Sequence, residues 1–288
     1  MAEEQLNIAL DLIAELSLED QNRLVLIGGQ AISFWAYYLF GENEISEKES
    51  NILTSSDLDI VADNNESIRI LARAWNGQSK FPSIGDHTPN RALIQVRRPQ
   101  MADGESYTID VMGDVHGARS SQLVKSSVEI EWSQRGRTLR FRVVSPEMLL
   151  WTRIANVRLG HMGQAKIRRD VERAMFLCRA VKQDLTSHAL EMRDTLAPDE
   201  KKVIEREVYN RCAFIYRDIS KKNITRYVLA DFPELCECFY RTIPKLSFLR
   251  QELYDYALPG WFCWLDGKVK TIQRHRENRK QQQPLKVI

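Results

Sequence analysis

The chain has no apolar run approaching the roughly 20 residues that cross a bilayer. Its start, Met1 to Leu16, is acidic and amphipathic rather than basic and then apolar, so neither a membrane span nor a secretory leader is expected. Cysteine is scarce. The five present, Cys178, Cys212, Cys236, Cys238 and Cys263, are odd in number, form no Cys-x-x-Cys pair and lie in helically patterned segments. That argues against a disulfide framework or a zinc site and for reduced core thiols. Net charge is nearly absent as well: 41 Lys and Arg against 39 Asp and Glu leave +2. Such a balance excludes indiscriminate binding to polyanions and confines any nucleic-acid contact to a local surface. No internal repeat at a solenoid period is visible. These absences together point to a cytoplasmic protein with no membrane partner.

What is present is enough apolar residue, 43% of 288, to bury one large core or two modest ones. Leu6, Ile8, Ala9, Leu12, Ile13 and Leu16 recur at helical spacing. Arg23 to Ile27 is a short strand-like run stopped by Gly28 and Gly29, and Gln30 to Phe40 suits a buried helix. Glu42 to Ser56 is polar and reads as a solvent-exposed excursion before the strand Leu58 to Ala62. Ser67 to Trp75 predicts another helix. Ala92 to Arg97, Tyr107 to Met112, Ser127 to Trp132 and Thr138 to Val144 have the alternation or β-branched content of strands. From Ser145 the pattern changes. A Ser-Pro-Glu helix start opens a helical stretch that runs to about Gln273, with breaks near Gly160, Pro198, Pro233, Pro244 and Pro259. The expected fold is therefore α+β: a mixed sheet with flanking helices over 1–144, then an all-helical domain over 145–288 with a basic tail from Lys268 to Lys286.

The residues able to do chemistry fall in the first part. Asp57 and Asp59 lie two apart at a strand start and project from one face, while Leu58 and Ile60 point inward. Two such carboxylates are unfavourable neighbours unless a cation neutralises them, and two bound Mg²⁺ (or Mn²⁺) ions are what phosphoryl or nucleotidyl transfer requires. Asp110, in Tyr107-Thr108-Ile109-Asp110-Val111, is the candidate third acid. Gly28 and Gly29 between strand and helix let backbone N–H groups approach a phosphate. Each feature alone has a plain reading as a strand end, a turn or a surface residue; their order and strand contexts favour a single site.

In this respect the sequence resembles the polymerase-β-type nucleotidyltransferase superfamily, in the residues Val25-Leu26-Ile27-Gly28-Gly29, Asp57-Leu58-Asp59 and Asp110. Within it, Ser145 to Leu150 (Ser-Pro-Glu-x-Leu-Leu) and Arg169-Asp170 are similar to the AbiEii-like branch, the toxin components of abortive-infection and type IV toxin–antitoxin systems. The resemblance covers about Leu24 to Leu177. It implies transfer of a nucleoside monophosphate from a nucleoside triphosphate to an acceptor, in some members a tRNA end, with a cognate antitoxin as a further partner. It also implies metal binding and catalysis by Asp57, Asp59 and Asp110, and nucleotide contacts from Gly28, Gly29, Gln30, Ser56, Arg153, Lys166, Arg169 and Asp170. The chain departs from the family where Leu53 and Ser55 stand for an Arg and a Ser or Thr, in a longer gap from Gly29 to Asp57, and where Arg153 stands for a Lys. Lys166 and Arg168 can substitute for that charge. These departures keep open a non-catalytic nucleotide-sensing or partner-binding protein, and fold alone keeps open a small-molecule (antibiotic-type) nucleotidyltransferase.

Other charged positions on the helices, Arg153, Lys166, Arg168, Arg169 and Asp170, read equally well as solvated faces or ion pairs. His87 and His116 have no metal-ligand spacing and are assigned no role. Trp261, Phe262 and Trp264, followed by Lys268, Lys270, Arg274, His275, Arg276, Arg279 and Lys280, mix aromatics with positive charge as nucleic-acid surfaces do. The simpler expectation is an aromatic anchor for the last helix and then a solubilising tail.

Overall fold

The computed structural model describes residues 2–86, 88–97, 107–134, 136–160, 163–195, 201–246 and 253–282. The chain divides into two compact units, Met1–Thr152 and Arg153–Ile288.

The first unit is built on a seven-stranded mixed sheet. Its strands are β1 (Leu24–Leu26), β2 (Leu58–Ala62), β3 (Gln78–Lys80), β4 (Asn90–Val96), β5 (Tyr107–Met112), β6 (Ser127–Gln134) and β7 (Arg137–Val144), in the order β3-β4-β5-β2-β1-β7-β6. β1 runs antiparallel to β2 and parallel to β7, and β2 runs parallel to β5. β2 is therefore the central strand, and β1, only three residues long, lies beside it in the interior of the sheet. All three residues of β1 are buried, as a strand covered on both faces requires.

Helices α1 (Ala2–Ala14), α2 (Leu18–Gln21), α3 (Gly28–Phe40), α4 (Glu47–Leu53), α5 (Asn65–Ala74) and α6 (Ser120–Lys125) flank the sheet. In α1, Leu6, Ala9, Leu10, Leu12 and Ile13 form the buried stripe. The indole N–H of Trp75 donates to the Leu12 carbonyl at 2.7 Å, and that of Trp35 in α3 to the Val144 carbonyl at 2.8 Å, so each buried ring is also satisfied as a donor. α5 starts where Asn64 accepts from the Ser67 amide at 2.8 Å.

The segment expected to be a solvent-exposed excursion is exposed or part-exposed everywhere but at Leu53, and it is helical. Glu42–Glu44 forms a 3₁₀ turn and α4 follows, opened by a capping box between Ser46 and Glu49. Its end is nailed to the core by Leu53, which is fully buried. The run of polar residues hid one apolar anchor. Short elements with little periodicity, β3 and α6, likewise went unread.

Both α7 (Pro146–Leu159) and the unit boundary lie beyond the sheet, and the boundary falls inside that helix rather than before it. Its opening belongs to the first unit: Leu149 and Leu150 are buried and the Trp151 indole donates to the Gly117 carbonyl at 2.7 Å.

In the second unit no strand occurs among the described residues, and the expected helical character holds. It contains α8 (Gln164–Thr195), α9 (Lys201–Ala213), α10 (Asn223–Asp231), α11 (Pro233–Tyr240) and α12 (Leu258–Gln282), with π-helical stretches at Phe214–Ile219 and Leu253–Ala257. Pro233 opens α11 and Pro259 lies in the first turn of α12, where a missing N–H costs nothing. Tyr216 is the hub of this core, edge-on to Phe239 and Phe262, with its hydroxyl donating to the Phe239 carbonyl at 3.1 Å.

All five cysteines are free. Cys178, Cys212 and Cys236 are buried, and burial pushes the Cys178 thiol up to about 12. Cys238 is only half-buried and Cys263 is exposed, which corrects the expectation of core thiols throughout, because Cys263 falls on the outer face of α12. No helix of the described residues is long and apolar enough to cross a membrane.

Candidate active site

The parallel pairing of β2 and β5 sets Asp59 directly beside Asp110. Side-chain directions match across a register pair, so both carboxylates leave the same face, with their backbones about 5 Å apart. On either side of Asp59, Leu58 and Ile60 are fully buried, as are Ile109 and Val111 flanking Asp110. The hydrophobic alternation therefore locks both acids outward, and a one-residue slip would bury them.

Asp57 precedes β2 in an exposed bend, where its carboxylate accepts from the Ser56 hydroxyl at 3.1 Å. Its charge is felt across the site. Asp110 is half-buried, and its pKa is raised first by that burial and then by the negative charge of Asp57; a hydrogen bond from the Asn90 amide at 3.1 Å partly offsets both.

Gly28 begins α3 with φ +66°, a left-handed conformation that disfavours any side chain. It is also the point of closest approach. A Cβ there would lie 1.9 Å from Asp59 Oδ2, 2.6 Å from its Cγ and 2.7 Å from its Cβ. The Asp59 carboxylate is thus packed against the N-terminus of α3, the positive end of a 13-residue helix whose first turn holds no acidic residue of its own. The Ile27 amide donates to the Asp59 carbonyl at 3.0 Å and ties the strand to the same turn.

The loop before Asp57 is pinned from three sides. Gln30 Nε2 donates to the Ser55 carbonyl, Ser33 Oγ to the Leu53 carbonyl at 2.9 Å, and the Tyr107 hydroxyl to the Ser56 carbonyl at 3.3 Å. Gln30 is fully buried, yet its Oε1 has no hydrogen-bond partner. Asn90, Ser33 and Tyr107 are the contributors that sequence reasoning missed. Asn90 sits at the irregular end of the β4–β5 pairing, where no periodicity marks it.

Of the expected nucleotide contacts, Gly28, Gly29, Gln30 and Ser56 are gathered in the first unit around the acids. The others belong to the second. There Arg153 donates to Asp170 at 3.1 Å in a mostly buried ion pair, with side chains 14% and 4% exposed. Lys166, Arg168 and Arg169 are exposed on α8, and Arg168 pairs with Glu172 and Glu234. His116 is exposed, and His87 lies outside the described residues.

Among the described residues no three carboxylate, imidazole or thiolate groups stand close enough to cage an ion by themselves. The donor set is nevertheless the one a hard cation takes: carboxylate oxygens that repel one another. Mg²⁺ is characteristically held by one or two carboxylates together with substrate phosphates rather than by a protein cage.

The chain matches no family model, and no curated protein matches it in sequence. It is similar to a solved structure described as an antigenic nucleotidyltransferase-like protein from Paracoccidioides brasiliensis, at 13% identity over 84% of this chain and 95% of that one, with a TM-score of 0.44. A likeness of that degree leaves the chemistry to be read from the residues themselves.

Proposed function

We propose that the protein is a metal-dependent nucleotidyltransferase that moves a nucleoside monophosphate from a nucleoside triphosphate to an acceptor hydroxyl. The observation that carries this reading is the register pairing of Asp59 with Asp110, with Asp57 near enough to raise the proton affinity of Asp110 and Gly28 opening α3 against Asp59. Asp57 and Asp59 would hold Mg²⁺ or Mn²⁺, which when bound neutralises the triphosphate and acidifies the acceptor hydroxyl. The amides at the start of α3 donate to phosphate oxygens across a backbone that only glycine leaves open. Asp110, with its raised proton affinity, accepts the hydroxyl proton at a carboxylate oxygen. By the AbiEii-like resemblance the acceptor is an RNA end and the partner an antitoxin.

The test is incubation of wild type and the Asp57→Ala/Asp59→Ala double variant with Mg²⁺, each α-labelled ribonucleoside triphosphate and total RNA. Label in RNA with wild type alone supports the proposal and names the nucleotide; a small-molecule acceptor panel follows if RNA takes none. A second reading, a nucleotide sensor without turnover, is favoured by one observation. Leu53, at the position where the related family has an Arg, is wholly buried and contributes packing rather than a phosphate contact. Metal-dependent nucleotide binding without transfer to any acceptor would decide for the sensor, and no nucleotide binding at all would remove both.

A further inference from the structure

The aromatic residues near the end of the chain do not all anchor the last helix. Phe262 does, packed edge-on against Tyr216 and Tyr240. Trp264 is 40% exposed, and so is Tyr227 on the neighbouring helix α10. These two rings, and the half-buried Trp261 that also lines a small cavity with Tyr216, have cations over them: Lys221 on Trp261 at 5.7 Å, Arg226 on Trp264 at 5.4 Å, and both Arg158 and Arg276 on Tyr227, at 5.4 and 5.7 Å. Contacts advance along α10 and α12 in the same direction, from Lys221 and Trp261 to Asp231 and Arg276. The alternating rings and cations therefore form one strip, roughly 20 Å long at the helical rise of α12.

Charge is concentrated on the same two helices. Residues 221–231 and 258–279 hold eight Lys and Arg against three Asp and Glu, in a chain whose whole net charge is +2. Two of the acids are already engaged: Asp231 with Arg276, and Asp266 with Lys270 at 2.7 Å; the third is Glu277. Lys222, Lys268, Arg274 and Arg279 are exposed and have no acidic partner among the described residues. A solubilising face needs charges of both signs and no outward tryptophan.

We propose that the strip along α10 and α12 binds a single-stranded polynucleotide, with bases stacking on Trp264, Trp261 and Tyr227 and phosphates neutralised by Lys221, Lys222, Arg226 and Arg274. Cation-covered aromatic rings at successive positions are what such a strand uses, because every base has a face to stack and every linkage a charge to neutralise. An anionic membrane would engage the cations and could take an interfacial tryptophan, but it also needs an apolar face beside the rings, and among the described residues Trp264 is the one large apolar side chain that α12 exposes. The strip does not depend on the transfer reaction.

The test uses the full chain and a fluorescein-labelled 12-nucleotide oligouridylate, read by anisotropy as salt is raised. Binding should weaken with a log–log slope of about −2 to −3, as expected for three or four phosphates neutralised on a single strand. Trp264→Ala should weaken binding about tenfold and Trp264→Phe far less, since one stacked base accounts for a loss of that order. Lys221→Gln/Arg226→Gln should flatten the slope by about 1, while Arg69→Gln, whose cation covers Phe81 in the first unit, should leave binding unchanged. The Asp57→Ala/Asp59→Ala variant should bind as wild type does, so failure of the transfer reaction leaves this result intact. The proposal is overturned if the oligonucleotide does not bind, if Trp264→Ala and the Lys221/Arg226 pair both bind like wild type, or if phosphatidylserine vesicles bind and the oligonucleotide does not.

Discussion

Replacing Gly28 by alanine tests the contact on which the candidate site is built. The left-handed backbone at φ +66° costs a residue with a Cβ about 1–2 kcal/mol. The added atom would stand 1.9 Å from Asp59 Oδ2, so the carboxylate must retreat by about 1.5 Å to reach ordinary contact; overpacking of this kind costs typically about 1–3 kcal/mol. The expected loss is therefore about 2–5 kcal/mol, the sum of a backbone part that Asp59 cannot influence and a steric part that it causes. Asp59→Ala would not separate them, because the Asp59 Cβ alone is 2.7 Å away. Asp59→Gly removes all three offending atoms. In a double-mutant cycle of Gly28→Ala and Asp59→Gly, followed by urea denaturation with the buried Trp35 and Trp75 reporting on the first unit, the coupling should be about 1–3 kcal/mol, with the pair less damaged than the two singles added. Additivity to within about 0.5 kcal/mol would refute the argument, since it would mean that Gly28 serves the turn and not the approach of the acid.

Asp110→Asn should raise stability at neutral pH by about 0.5 kcal/mol, because it removes a half-buried charge facing Asp57. The sign follows from the raised pKa: the folded state holds the proton more tightly than the unfolded chain, so wild-type stability rises as pH falls through the folded pKa, and the variant's advantage should shrink over that same window in thermal melts. A variant less stable than wild type at pH 7 would show that the Asn90 hydrogen bond outweighs the repulsion. In the second unit, Asp170→Ala should cost about 3 kcal/mol by leaving Arg153 buried and unpaired, whereas Arg153→Met/Asp170→Leu should cost less than that single change in the same denaturation assay. Ser46→Ala should cost about 1 kcal/mol and speed amide exchange in α4, since the Glu49 amide loses its acceptor while only the Ser46 amide's bond to the Glu49 carboxylate survives.

The faces of Asp59 and Asp110 were legible because each sits between buried apolar residues whose period fixes the strand face, and the glycine pair because it interrupts an apolar run; Asp57, expected on the same strand face as Asp59, lies instead in the bend before β2, where no period applies. The pairing of β2 with β5 was not legible. It joins segments separated by α5, β3 and β4, and nothing local in Leu58 to Ala62 says which strand will lie beside it. In Glu42 to Ser56 the exposure was legible but the helix and its anchor were not, for a similar reason: Leu53 and the carbonyls held by Ser33 and Gln30 are decided by α3. Trp261 and Trp264 were expected to anchor α12 with Phe262. A single turn of helix cannot point three neighbouring rings inward: Phe262 packs on Tyr216 and Trp261 lines a small cavity beside it, while Trp264 is turned outward.

Where the first unit has a choice, it satisfies its local requirements: Asn64 caps α5, Ser46 and Glu49 box the start of α4, and the indoles of Trp35, Trp75 and Trp151 all donate to carbonyls. At one end of the sheet it does not. Gly28 holds a left-handed φ, Gln30 buries an oxygen without a partner, and Asp110 faces the charge of Asp57 with its own proton affinity raised. The orphan oxygen and the facing charges are costs that a neutral substitution could relieve, Gly28 is a position that only glycine tolerates, and the three are linked: Gly28 lies against Asp59, which pairs in register with Asp110, while Gln30 holds the carbonyl two residues before Asp57. Such a concentration is what the proposed ligand site would require, since groups kept for binding are not free to be optimised for stability. In the proposed reading, what the acids lack is positive charge, which a divalent cation arriving with a triphosphate would bring, while the amides at the start of α3 would be the donors to its phosphate oxygens.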